Sequence, residues 1–275
     1  MGVIDLVPQP RTEGRRPGIG AFRRRLRLLV LVIVACLPNG LKLLCYRHLL
    51  HFRIGRGVRI GLTVLDVDRC VIEEGTHIGH FNVFTQITEL RIGANARVGF
   101  GNLFRGGMLL VLGRYCQILR LNRINAIPEP DYVGNPEPVF RFGEGSVITA
   151  EHRFDFTDRI EVGKCVVIGG RNSSFWTHNR QATLPIRIGD FSYIGSEVRF
   201  APGASIPAWC IVGLGSVVTG PLTEERCLIA GVPAKALRPL SDADLASLRR
   251  KPRLDLPDAL YMGIPFPVTS SQHLG

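Results

Sequence analysis

From Ile54 onward an aliphatic or aromatic residue returns every six positions, and no other feature limits the possible fold as much. The series runs Ile54, Ile60, then Ile72, Ile78, Phe84, then Ile92, Val98, Phe104, then Leu112, Ile118, Ile124. After a gap it resumes at Phe142, Ile148, Phe154 and at Val162, Ile168, Ser174. After a second gap it continues through Ile188, Ile194, Phe200 and Ile206, Val212, Val218. Ile72 to Ile92, Ile92 to Leu112 and Phe142 to Val162 each span 20 residues, whereas Ile188 to Ile206 spans 18. Three six-residue sides make one coil, and most coils carry two extra residues at a corner. Each plug points inward, glycines beside many of them admit tight corners, and coils of this kind bury their faces only by stacking. The period predicts an all-β, triangular, parallel solenoid.

Two stretches interrupt the stack. Ile124 to Phe142 holds Pro128, Pro130, Pro136 and Pro138 and reads as a loop. Ser174 to Ile188 holds Phe175, Trp176, Thr177, His178 and Asn179. Long loops on a regular scaffold are functional or disordered, and a Trp beside a His favours function.

The chain before the repeat differs in kind. Residues 11–27 carry seven arginines against one acid, Glu13, and an apolar run from Leu28 to Leu37 follows. Ten residues are too few to span a bilayer as a helix. The segment reads as two short helices broken at Pro38. Either they rest on an anionic membrane surface, or they cap the solenoid beside a solvated arginine arm. The net charge of +11 is concentrated there, and no nucleic-acid motif accompanies it, so nucleic-acid binding is not expected. Seven cysteines without a CxxC pair fit buried, reduced thiols in a cytoplasmic protein, with no disulfide framework or zinc site. The divisions expected are a helical segment over 1–52, the solenoid over 53–238, and a tail over 239–275. The tail opens with a short helix capped by Ser241 ahead of Asp242 and Asp244, and is irregular beyond Pro252.

The later coils carry more specific strings: PIRIGDFSYIGS over 185–196, VGLGSVV over 212–218 and AGVPAKALR over 230–238. They resemble the hexapeptide-repeat acyltransferases, which are left-handed parallel β-helices. The likeness covers about residues 54–240 and is strongest over 142–240. VITAEH over 147–152, with Phe154 and Asp155, and FWTH over 175–178 resemble the branch that O-acetylates polysaccharides.

That resemblance implies transfer of an acyl group, acetyl above all, from coenzyme A to a sugar hydroxyl. It also implies a homotrimer with clefts between neighbours, and neither metal nor covalent intermediate. Histidine suits the base because its pKa lies near neutrality. His178 precedes the PIRIGD turn, where the family keeps its catalytic histidine. One 20-residue coil back from it is Asp158, expected beneath the imidazole as its orienting carboxylate. His152, flanked by Glu151 and Asp155, is a rival base or an acceptor ligand. The resemblance further assigns backbone N–H groups at Gly195 and Ser196 to the oxyanion. It assigns Gly213, Gly215 and Ser216 to the pantetheine arm, and Lys235 and Arg238 to the phosphates. Trp176, Asn179 and Asp155 are expected to bind the acceptor, a glycan or sugar nucleotide. N-acylation of an amino sugar nucleotide and a non-catalytic scaffold remain as alternatives.

Overall fold

The structure, a computed structural model, describes residues 17–127, 134–252 and 255–262. The arginine arm before Pro17, Pro128, Pro130 and the last residues with His273 lie outside them. The repeat forms a three-sided parallel β-helix. Strands from successive coils pair in parallel, Ile60 with Ile78, Ile78 with Val98, Val98 with Ile118 and Ile118 with Ile148. The plugs named from the period, Ser174 apart, are buried from Ile72 at 1% exposure to Val218 at 1%. Identical plugs stack as rings: Phe84 on Phe104 at 4.2 Å, Phe154 on Phe175 at 4.4 Å and Phe175 on Phe200 at 4.9 Å.

Two expectations about the coil change. The two extra residues do not sit at a corner; they lengthen one side, which then carries two inward columns. Leu90 with Ile92, Leu110 with Leu112, Phe140 with Phe142 and Ile160 with Val162 are all buried. The inward residue after Ile168 is Phe175, not Ser174, which faces out from the same strand. The cause is a one-residue bulge: Ile148 pairs with Ile168, but Ala150 pairs with Arg171. Gly170 takes φ +65° there, and a Cβ on it would run into Ser196 Oγ. The coil from Phe154 to Phe175 therefore counts 21 residues.

An open solenoid end is an unpaired strand edge, and the helices remove it. α1 (Pro17–Cys36) begins eleven residues before the apolar run, and α2 (Asn39–His48) follows Pro38. Asn39 donates to Val58 O and accepts from Ile60 N; Lys42 Nζ donates to Ile60 O and Gly61 O. Tyr46 Oη donates to Thr63 O, and Arg47 to Ile54 O and Gly55 O. Residues 39, 42 and 46 share one helix face, and together they replace the missing preceding coil. Burial among carbonyl groups lowers the pKa of Lys42.

At the other end an antiparallel hairpin, Cys227–Gly231 with Ala234–Pro239, pairs onto Ile211–Val212. α3 (Asp242–Leu248) has the Ser241 cap that its sequence predicts, completed by Asp244. The tail beyond Pro252 is not wholly irregular. A further short helix, Ala259–Met262, brings Tyr261 with Leu256 and Leu248 onto a small second core around Cys165, Phe191 and Trp209. The cysteines are free thiols.

Candidate active site

The residues on one side of the solenoid divide by parity. In the strand Arg153–Asp155, Phe154 points inward, so Arg153 and Asp155 lie on the outer face. One rung on, Ser174 and Trp176 occupy the same positions, with Phe175 inside. After Thr177 the chain leaves the coil as the second insertion. Thr177 ties its root down, its N–H and hydroxyl both donating to Asp155 O. His178 and Thr183 form an antiparallel bridge, and Leu184 N–H returns to Thr177 O. At the tip, Asn179 Oδ1 accepts from Gln181 N and Ala182 N, a local turn that holds the loop's shape. The acceptor role expected for Asn179 meets a carboxamide oxygen already engaged in that turn.

This loop folds His178 back over the strand beneath. His178 Nδ1 lies 2.5 Å from Asp155 Oδ2. The approach is too bent for an ideal N–H···O line, and among the described residues neither atom has another hydrogen-bond partner. The contact is therefore a close approach of the two groups rather than an ideal hydrogen bond. Asp155 Oδ1 accepts from Thr157 N at 3.0 Å and from Thr157 Oγ at 2.7 Å, so the carboxylate, 3% exposed, is held from behind. A carboxylate at Nδ1 selects the tautomer with its proton there and leaves the Nε2 lone pair available. The chemistry this arrangement can do is proton abstraction by an oriented imidazole on an exposed loop.

Asp158 does not orient the imidazole. Its Oδ1 accepts from Glu137 N and Arg159 N, where the first insertion rejoins the solenoid, while Arg159 pairs with Glu137. Counting back 20 residues missed the bulge at Gly170, and the loop also carries His178 back across its own strand. Both insertions leave from one corner, since Ile127 N donates to Thr157 Oγ.

His152 is a structural residue. It is fully buried at a corner where each residue accepts the N–H of its equivalent in the next coil. Asn82 Oδ1 accepts from Asn102 N, Asn102 Oδ1 from Asn122 N, and Asn122 Oδ1 from His152 N. His152 Nδ1 accepts from Ser173 N at 3.1 Å, and Ser173 Oγ from Val198 N. Nε2 meets Thr149 Oγ at 3.0 Å. With Nδ1 held as acceptor, the ring is neutral with its proton on Nε2, and it has no lone pair to offer a substrate. Burial pushes its pKa down to about 4. The sequence carried this signal: Asn82, Asn102, Asn122 and His152 each stand two residues before an inward plug.

The residues expected to meet coenzyme A lie elsewhere in this chain. Gly195 and Ser196 turn the corner before Arg199–Phe200, whereas the His178 loop leaves from the far corner of that side. Gly195 N already donates to Val212 O, Gly213 N to Ile229 O and Gly215 N to Ser196 O, so these three N–H groups serve the coils. Ser216 Oγ donates to Gly213 O. Lys235 sits in the terminal hairpin, and Arg238 pairs with Asp244 at 2.8 Å, holding that carboxyl down to about 2.

Beside the histidine, sequence reasoning missed a row of arginines. Arg123 and Arg153 are neighbours across one rung, and Arg199 follows beyond Ser174. They line an open groove of about 850 Å³ with Glu151, Glu197 and Asn172. Among the described residues no carboxylate is in ion-pair reach of these three guanidinium groups. Neither His178 nor Asp155 lines this groove; Arg153, on the strand that carries Asp155, does. Half-exposed Trp176 stands next to Asp155 on the adjacent rung.

No family model matches the chain. A stretch of 62 residues is 37% identical to the galactoside O-acetyltransferase of Escherichia coli (strain K12), covering 22% of this chain and 30% of that protein. The chain thus matches less than a third of the length of this curated relative. A hexapeptide transferase family protein from Anaplasma phagocytophilum superimposes with TM-score 0.44 at 18% identity, over 58% of this chain and 84% of the other. A hexapeptide-repeat acetyltransferase from Vibrio cholerae O1 biovar eltor, complexed with acetyl coenzyme A, gives TM-score 0.35 at 28% identity, over 45% and 72%.

Proposed function

We propose that this hexapeptide-repeat β-helix protein is an acetyl-coenzyme-A-dependent O-acyltransferase acting on a sugar hydroxyl in surface-glycan or exopolysaccharide assembly. The observation that carries the proposal is the pairing of His178, on an inserted loop, with Asp155, two residues along the strand from Arg153 of the arginine groove. The terminal AGVPAKALR string and the identity to a protein named galactoside O-acetyltransferase support it. In this reading Asp155 orients His178, and Nε2 removes the proton from the acceptor hydroxyl as its oxygen attacks the thioester carbonyl. The C–S bond breaks, and coenzyme A leaves as its thiol after taking a proton. The acceptor lies along the groove of Arg123, Arg153 and Arg199, with Trp176 as an apolar platform for a sugar ring. The donor comes from a neighbouring copy's terminal coils in a homotrimer, which reconciles the distance between His178 and Gly195, Ser196, Gly213, Gly215, Ser216 and Lys235 within one chain. The protein works in the cytoplasm, with its N-terminal segment in contact with the membrane.

The test is release of free coenzyme A from acetyl-coenzyme A in the presence of candidate glycans. His178→Ala should lose about two to four orders of magnitude in turnover with an unchanged melting temperature. Turnover equal to wild type would remove His178 as base. Absence of coenzyme A binding by calorimetry would remove the enzyme reading altogether.

A further inference from the structure

Residues 14–65 contain eleven Lys and Arg and no Asp or Glu, which equals the net charge of the whole chain; the rest balances at 23 against 23. The described residues of this stretch also carry apolar surface. The inner faces of α1 and α2 are used up: Leu31, Val34, Ala35 and Tyr46 are buried, and Lys42 caps the first coil. The outer faces are not. Leu26, Leu29, Val30, Val32, Ile33, Leu41, Leu44 and Leu49 are 45–67% exposed. Both helices thus carry apolar side chains on two sides, one packed on the solenoid and the other bare. Arg25 and Arg47 flank this surface, and the nearest acids, Asp66 and Asp68, are taken up by Arg27.

We infer that the outer faces of α1 and α2 form a docking surface for an anionic phospholipid membrane. This rests on the peripheral placement proposed above, and not on catalysis. Among the described residues no helix is long and apolar enough to cross a bilayer, so the contact is interfacial. Eight large apolar side chains enter the headgroup boundary, and the arginines meet lipid phosphates. A second copy of the chain fits this surface less well, because like charges would face each other with no acid to neutralise them. Asp155 stands four rungs from Asp66 along the stack, through Thr85, Arg105 and Asn125. At roughly 4.8 Å per rung this keeps the His178 loop about 19 Å from the docking helices. That spacing suits an acceptor whose reacting sugar extends from a lipid anchor.

The test uses the full chain and vesicles without acyl donor. The expected result is sedimentation with phosphatidylglycerol-containing vesicles, little with phosphatidylcholine alone, and release by added salt. Leu29→Asp combined with Ile33→Asp should weaken partitioning at least about tenfold. Leu44→Asp, on the other helix, is a second and independent variant. Both should keep the wild-type melting temperature and turnover on a soluble acceptor. Equal binding to both lipids, no binding to either, or undiminished binding by folded variants overturns the inference. So does a variant that dissociates an oligomer in a protein that never binds vesicles, because the occupant is then a second copy. A chain that binds vesicles but turns over no acetyl-coenzyme A supports the docking surface and counts only against the acyltransferase reading.

Discussion

His152 and His178 belong to successive coils on the same side of the solenoid, and their surroundings make them chemical opposites. His152 occupies a corner column. Asn122 Oδ1 receives its N–H, it receives the N–H of Ser173, and its ring faces Thr149 on the other edge. His178 sits on a loop that has left the column, and meets one carboxylate through Nδ1. The same side chain serves the ladder in the first place and, in the function proposed above, proton transfer in the second. Nδ1 is engaged in both, and the difference lies in its partner: it accepts from a backbone N–H in His152 and faces a carboxylate in His178. A histidine whose lone pair is spent on a backbone N–H is an asparagine substitute. One whose N–H is held by a buried carboxylate is poised as a base.

The sharpest way to break this comparison is Asp155→Asn. An amide at Nδ1 can present an N–H where the imidazole needs an acceptor, which favours the wrong tautomer. Turnover should fall by about a hundredfold or more, with Thr157 still able to bond Oδ1. Steady-state kinetics would show it, and a change below about twofold would detach Asp155 from the mechanism. His152→Ala should act on folding instead. It leaves the buried Ser173 N–H without its acceptor and opens a cavity, a loss of about 2–4 kcal/mol in denaturant unfolding. Activity per folded molecule should persist.

A pH series sharpens the contrast. The unfolded chain protonates His152 near 6.5, the folded one only near 4. As pH falls through this window the unfolded state binds more protons. Stability is then full above the upper value, and as much as roughly 3 kcal/mol is lost on descending to the lower. His152→Asn should restore the ladder in the form used at Asn122 and remove this part of the slope. Melting temperatures of the two proteins from pH 7 to about 4 would decide it. The smallest effect belongs to Asp158→Asn. One oxygen remains to accept from Glu137 N and Arg159 N, so turnover should stay within about twofold and stability within about 0.5 kcal/mol.

Much of this architecture was legible beforehand. The six-residue period located one inward column on each side of the coil, from Ile72 to Val218, but not the second column of Leu90, Leu110, Phe140 and Ile160 on the lengthened side. The insertions, the helix break at Pro38 and the Ser241 cap were legible for equally local reasons. The bulge at Gly170 explains the miss at Ser174 and moves the count at Asp158 only as far as Thr157; the fold-back of the loop supplies the rest. Counting assumes equal coils, and the bulge at Gly170 adds a residue that no hydrophobic pattern records. The arginine groove was invisible for another reason. Arg123, Arg153 and Arg199 are 30 and 46 residues apart, and only stacking makes them neighbours.

By itself the sequence determined the solenoid, its interruptions and the imidazole that one of them carries, since periodicity and loop length are properties of the chain alone. Tertiary structure decided which carboxylate meets that imidazole, which histidine is spent on the ladder, and which helix faces stay bare. Those choices depend on atoms brought within about 3 Å across coils, and one bulge with one folded-back loop is enough to exchange one partner for another.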